Sequence, residues 1–399
     1  MLKSIISMVV VRGMTLIFPL ALIPIQLQLL GIAGYGEYNV LFAISAIGAV
    51  VINYGFDYSA SRSISRSVNQ LKEVSNIVSS AFYCKLINYC IVMLILFFYY
   101  LYNQQLQKFI IVAIFLFSQV LMPIYLFQGM KRMGYLIFNT FFLNVSFTAM
   151  LLLYLVLNIS VSSDFAFLTY SIINILAAVQ MVIFIRKRFY ISLNKASRYD
   201  IFSHYKDGGW IFLSRMMSTG LSQWSILILS TLLSPALLGI YTLADKLVRA
   251  SNSFFYAIQQ ATYPYFCNRE NKKIFIKMTF SLVMLAFFCV AIVYLLQDVV
   301  AVFFPILKHN ITPMLIMFSA IIPMSMSGMF GVNYLLANDY NKEFALVLAL
   351  AAVFNMTMLK FYVHHDSIED AAFILLSTEW LVTLLMILII LNKVRKHAH

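Results

Sequence analysis

Nine ionisable residues of this 399-residue chain lie inside long apolar runs or at their ends: the bases Arg12, Lys85, Arg215, Lys246, Arg249 and Lys360, and the acids Asp245, Glu379 and Asp57. A charge at the centre of a membrane helix costs about 2.5–3.5 kcal/mol on insertion scales, so such residues usually face a protein interior or a wet cavity. Here the cations outnumber the acids, which suits an anionic ligand. Arginine forks bind phosphate oxygens in pairs and stay charged when buried. Arg12, Arg215 and Lys85 sit toward one end of their apolar runs, and Arg249 supplies a further cationic station nearer the other end. If the three arginines serve one ligand, their side chains converge on a common space. A diphosphate is one anion that such a pattern fits.

The run near 240–266 carries Thr242, Asp245, Arg249, Asn252, Tyr256, Gln259 and Tyr263 at steps of three and four. That period places them on one helix face, which must line a cavity or meet other polar helices. Lys246 sits beside the face. Asp245 and Arg249 are spaced to pair, and such a pair serves structure as readily as binding. Lys246 and Lys360, near helix ends, can instead snorkel to the interface, and Lys85 can do the same inward. Glu379 falls about mid-run without an evident partner. It is either a silent protonated acid or, with Asp245 and Asp57, a carrier of coupling ions.

The elements that must hold these residues are membrane helices. The chain is 62% hydrophobic and 11% charged, against about 25% charged for soluble domains. Twelve apolar segments are expected, near 5–30, 38–56, 80–101, 109–128, 135–157, 165–185, 209–231, 240–266, 278–296, 311–335, 344–363 and 370–391. Each is long enough to span as a helix, and the ten-residue alternation of a β-barrel is missing. The first segment, opened by Lys3 and without a cleavage site, reads as a retained span. Loops on one side hold 20 Lys and Arg, and those on the other hold only Lys108 and Lys308. This bias places both termini in the cytoplasm. It also accounts for the net charge of +13 without nucleic acid. Pro19 and Pro24 with Gly13, and Pro323 with Gly328 and Gly331, let helices bend around a cavity.

Arg12 and Tyr38 are matched by Arg215 and Tyr241 at a common offset of 203 residues, and Gly36 by Gly239. The expected fold is therefore all-α, about twelve transmembrane helices in two six-helix lobes. A pseudo-two-fold axis along the membrane normal relates them, as in transporters built from parallel repeats. The lobes are 1–187 and 209–399, joined by a basic cytoplasmic connector at 188–208. Outer loops are short, the longest being 297–310, so no catalytic domain fits outside the membrane. Cys84, Cys90, Cys267 and Cys289 lie in or beside apolar runs without metal or redox spacing, and read as small apolar residues. No HExxH or P-loop occurs, and His364-His365 beside Asp366 reads as a solvated turn. No metal or cofactor is implied.

A set of segments in order along the chain completes the picture: Asn53-Tyr-Gly-Phe-Asp57 with Ala60 and the Ser-rich stretch to Arg66, Pro123-Ile-Tyr-Leu-Phe-Gln-Gly129, Gly239-Ile-Tyr241, Ala244-Asp-Lys-Leu-Val-Arg249, Tyr263-Pro264, Asn341-Lys-Glu-Phe344 and Thr378-Glu379. Together they resemble the Wzx-type O-antigen flippases, the polysaccharide-transporter branch of the multidrug/oligosaccharidyl-lipid/polysaccharide exporter superfamily. The resemblance implies alternating access and export of an undecaprenyl-diphosphate-linked repeat unit from the cytoplasmic to the periplasmic leaflet of a bacterial inner membrane. It implies Arg12, Arg215 and Arg249 as diphosphate ligands. The cavity would include Lys85, Lys246, Asn252, Tyr256 and Gln259. Candidate partners are membrane lipid, the O-antigen polymerase and its chain-length regulator. Two alternatives stay open: a drug exporter of the same superfamily, which should favour carboxylates in its cavity, and a polymerase-type membrane enzyme, which should carry a large periplasmic loop.

Overall fold

In a computed structural model, backbone is described at residues 2–68, 70–189, 198–268 and 272–397, and side chains over 20–68, 70–189, 201–266 and 273–393 apart from single positions. The described residues are helical throughout, without a strand. The helices are α1 (Leu2–Asn53), α2 (Phe56–Arg66), α3 (Leu71–Tyr102), α4 (Leu106–Leu121), α5 (Ile124–Gly129), α6 (Gly134–Val156), α7 (Ser163–Phe189) and α8 (Arg198–Thr219). After a π-helical segment at Gly220–Trp224 come α9 (Ser225–Leu229), α10 (Pro235–Asn268), α11 (Lys272–Leu295) and α12 (Gln297–Phe303). A 3-10 turn at Pro305–Asn310 leads to α13 (Ile311–Ser319) and α14 (Ile321–Gly328). A second π segment at Met329–Leu336 precedes α15 (Asn341–Tyr362) and α16 (Ile368–His397). The loop expected at 297–310 is thus folded into α12 and the 3-10 turn.

Among the described residues, nine helical stretches are long and apolar enough to cross a membrane. The three other expected spans have simple explanations. α8–α9 and α10 are diluted by Arg215 and by Asp245, Lys246 and Arg249. The first expected span lies mostly outside the described side chains. It shares α1 with the second span, and the two are separated at Gly31 (φ 65°, ψ 178°). This backbone region is essentially restricted to glycine. Large apolar side chains such as Phe280, Phe287 and Phe288 on α11, and Leu346, Leu350 and Val353 on α15, stand exposed where lipid would cover them. Cys84 is buried, whereas Cys90 is exposed on such a face.

The chain divides into two compact units, Met1–Thr219 and Gly220–His399. The division falls inside the expected seventh span, and α8 packs with the first unit. The Tyr54 ring stacks on Phe212 with centroids 4.5 Å apart. Tyr205 donates its hydroxyl to Asn88 Oδ1 at 2.8 Å, and Ser80 Oγ lies 2.8 Å from His204 Nε2. The core of the unit is layered with aromatics: Phe115 stacks on Tyr170, and Tyr38 meets Phe167 edge-on. In the second unit, Leu335, Val347, Ala351, Val382 and Met386 form an apolar cluster. Beside it runs a polar chain in which Ser225 Oγ donates to Asn355 Oδ1 at 2.7 Å and Asn355 Nδ2 donates to Thr378 Oγ1 at 3.0 Å.

The break between α1 and α2 has two consecutive left-handed residues, Tyr54 (φ 44°) and Gly55 (φ 87°). A Cβ at Gly55 would meet Ile211 at 2.9 Å and the Gly208 carbonyl at 3.1 Å. Gly55→Ala should therefore lower the stability of the purified protein by about 1–3 kcal/mol. Gly134→Ala, whose Cβ would meet nothing within 4 Å, should leave stability unchanged or raise it by about 0.4–1 kcal/mol. Thermal unfolding in detergent compares the two, and equal melting temperatures would refute the strain assigned to Gly55.

Candidate functional site

The break at Tyr54–Gly55 starts α2 so that Asp57 falls in its first turn, where a carboxylate meets the positive end of the helix dipole. Asp57 Oδ2 lies 2.9 Å from Arg215 Nη1, with side chains 8% and 35% exposed. The guanidinium also sits 4.9 Å from the centre of the Tyr58 ring. Among the described residues, Asp57 Oδ1 is buried without a hydrogen-bond partner. One carboxylate oxygen is thus neutralised, while a part-exposed fork keeps further N–H donors for an anion.

Lys85 is fully buried and within electrostatic reach of Asp57 and Arg215. Its ammonium is spent on backbone. Nζ donates to the Met122 carbonyl at 2.9 Å and to the Gln119 carbonyl at 3.2 Å. The cause lies in Pro123, which ends α4. Proline has no N–H to give to the carbonyl four residues back, here Gln119. In hydrocarbon that oxygen must find another donor, and Lys85 supplies it. The sequence reading put Lys85 on the cavity wall; the structure turns it into the backbone, at 5.2 Å from the Tyr125 ring. The signal was present in the spacing of Gln119 and Pro123.

In the second unit, Asp245 and Arg249 pair as their spacing suggests. Arg249 Nε bridges both carboxylate oxygens at 2.9 and 2.8 Å, with Asp245 buried and Arg249 39% exposed. Glu379 on α16, which the sequence left without a partner, lies within electrostatic reach of both. Tyr241 on α10 joins the same cluster. Further along the α10 face Asn252 is half-buried and Tyr256 exposed. Thr242 and Gln259 are committed to packing: Thr242 donates to the Gly239 carbonyl at 3.0 Å, and buried Gln259 donates to the Ser325 carbonyl at 3.0 Å. Lys246 is half-buried and Lys360 exposed. The side chain of Arg12 lies outside the described residues. His364, in an exposed turn, meets Asp370 at 2.7 Å.

Three comparisons bear on this arrangement. Residues 1–269 match the family model described as "Polysaccharide biosynthesis protein". A protein of Escherichia coli (strain K12) named "Putative O-antigen transporter" is 23% identical over 98% of this chain and 97% of its own length. One of the same name from Shigella dysenteriae is 24% identical over 73% of this chain and 74% of its own length. An inward-facing multidrug resistance MATE family transporter of the MOP superfamily superposes with a TM-score of 0.65. It is 12% identical, and the match covers 92% of this chain and 93% of that one. That last likeness establishes the fold.

The Lys85 assignment has a direct check. Lys85→Met should cost about 1–3 kcal/mol for each carbonyl it strands. Pro123→Ala, by returning an N–H to Gln119, should recover part of that loss. Unfolding measurements on the two single variants and the double variant should therefore show a less-than-additive loss. Strict additivity would refute the capping role.

Proposed function

Because the chain belongs to the polysaccharide biosynthesis protein family, we propose that it is a membrane transporter, not an enzyme, for a lipid-linked O-antigen repeat unit. Its cargo is an undecaprenyl-diphosphate-linked oligosaccharide, moved by alternating access from the cytoplasmic to the periplasmic leaflet of the inner membrane. Both termini lie in the cytoplasm, supported by the 20-to-2 bias of basic residues between loop sets.

The observation that carries the reading is the charge of the first unit's cluster. Arg215 and Lys85 outweigh Asp57, and Arg215 keeps its fork part-exposed beside Tyr58. A diphosphate is the group such a fork serves. The second cluster has the opposite balance, with Asp245 and Glu379 around Arg249. Its second carboxylate, Glu379, takes up a proton when Arg249 turns to an anion and gives it back when Arg249 returns. Asn252 and Tyr256 offer polar surface to the sugar on the same face. Arg12 is a further diphosphate ligand. The polymerase and chain-length regulator receive the product on the far side.

Two variants separate these roles in a strain that lacks its own flippase and makes the matching sugar unit. Wild type should restore surface polysaccharide. Arg215→Ala, at equal membrane abundance, should reduce it by about tenfold or more, the loss of a charge-assisted contact. Restoration by Arg215→Ala would remove Arg215 from the site. Failure of the wild type would favour another cargo, such as a drug. Glu379→Gln should keep binding of the lipid-linked sugar and lose the dependence of transport on a pH gradient. Gradient-dependent transport by that variant would exclude Glu379 as the coupling acid.

A further inference from the structure

A pocket of about 430 Å³ opens among α5, α6 and α7 of the first unit, away from both ion pairs. Its walls are Phe127, Tyr135, Phe138, Met181 and Phe184, with the Tyr135 and Phe184 rings 4.2 Å apart. Its size is that of a small-ligand site. Asn139 and Gln180 also line it. Among the described residues, the side-chain oxygens Asn139 Oδ1 and Gln180 Oε1 are buried without a hydrogen-bond partner, and Asn139 is only 6% exposed. Acceptors left bare beside hydrocarbon are costly, so the occupant must bring donors.

The pocket is flanked by positive charge. Lys131 and Arg132 lie just before Gly134, the first residue of α6, and Arg186, Lys187 and Arg188 form the last turn of α7, two residues beyond Phe184. All five are exposed, and none belongs to an ion pair among the described residues. Basic residues at the mouth of an apolar pocket between membrane helices attract anionic lipid head groups.

We propose that this pocket is a specific site for an anionic glycerophospholipid with a free hydroxyl on its head group, such as phosphatidylglycerol. One acyl chain lies along the aromatic wall. The phosphate meets the basic rim, and the compact glycerol head turns into the mouth to donate to Asn139 Oδ1 and Gln180 Oε1. Asn139 is five residues into α6, about 7–8 Å along the axis, which such a head group spans. A zwitterionic lipid carries its own ammonium beside the phosphate and so matches the basic rim less well. A polyprenyl diphosphate matches the cations, but its sugar is too bulky to turn into the mouth. By the loop charges this is the cytoplasmic leaflet, but the binding chemistry does not depend on that orientation or on the cargo.

The test uses the full chain purified in detergent and offered phosphatidylglycerol, phosphatidylmethanol, phosphatidylcholine or polyprenyl phosphate, with bound lipids counted by native mass spectrometry. Wild type should retain one phosphatidylglycerol about tenfold more strongly than phosphatidylcholine, and more strongly than phosphatidylmethanol, which lacks the hydroxyl. Gly134→Leu, whose Cβ enters open space, should plug the mouth and abolish retention. Lys131→Gln with Arg132→Gln, in an exposed turn, should erase the preference over phosphatidylcholine, and this pair carries the test if Gly134→Leu does not fold. Asn139→Leu should erase only the preference over phosphatidylmethanol. Equal retention by wild type and the rim variant would overturn the proposal, as would polyprenyl phosphate displacing phosphatidylglycerol at equal concentration.

Discussion

In hydrocarbon no water is at hand to answer a backbone carbonyl, so each one freed by a helix break must find a donor within the protein. Much of the polar chemistry in this chain follows from that constraint. Pro123 frees the Gln119 carbonyl, and Lys85 is spent there. Other polar side chains add a second donor to carbonyls within a helix: Thr383 donates to the Pro323 carbonyl at 2.9 Å, and Gln259 donates to the Ser325 carbonyl, which also accepts from the Met329 N–H. Polar side chains that look like a binding face in one dimension are therefore partly scaffold. What remains after the backbone is served is a short set: Arg215 with Asp57 in the first unit, and Arg249, Asp245 and Glu379 in the second.

The two remaining clusters share a design and differ in sign. Each has an arginine, part-exposed, held by one buried aspartate. The buried carboxylate fixes the guanidinium in place while leaving part of the fork uncommitted. In the first unit the charged neighbour is a cation, Lys85, itself held by backbone carbonyls, and in the second it is an acid, Glu379. In the proposed transport cycle, this polarity is what would let the first cluster hold negative charge and the second exchange a proton.

The fold was largely legible in the sequence because lipid imposes a length and a composition on each span. Local pairs were legible too, since Asp245 and Arg249 are one helical turn apart. The pair of Asp57 with Arg215 was not, because 158 residues separate them and no periodicity links α2 to α8. Nor was the partner of Glu379, which depends on how α16 meets α10. The partners of Lys85 were not legible in hydropathy either, for a different reason. Hydropathy treats a buried lysine as a charge seeking an anion, whereas dipoles of unpaired carbonyls serve equally well. The boundary at Thr219–Gly220 has no mark in the composition, because α8 and the π segment after it run on without a loop.

That π segment at Gly220–Trp224 and its counterpart at Met329–Leu336 bear on how the chain can change length. Adding or removing one residue in an α-helix turns everything beyond it by about 100°, which would carry a whole face out of register. A π turn already holds a surplus residue, so a deletion there relaxes the helix to the α form and leaves one neighbouring face in place. These two stretches are thus the natural seams at which descendants of this chain can gain or lose a residue in mid-membrane. Asn333, inside the second, donates to Thr262 Oγ1 at 2.7 Å, and a slip there would exchange the side chain presented to α10 without moving the helices on either side.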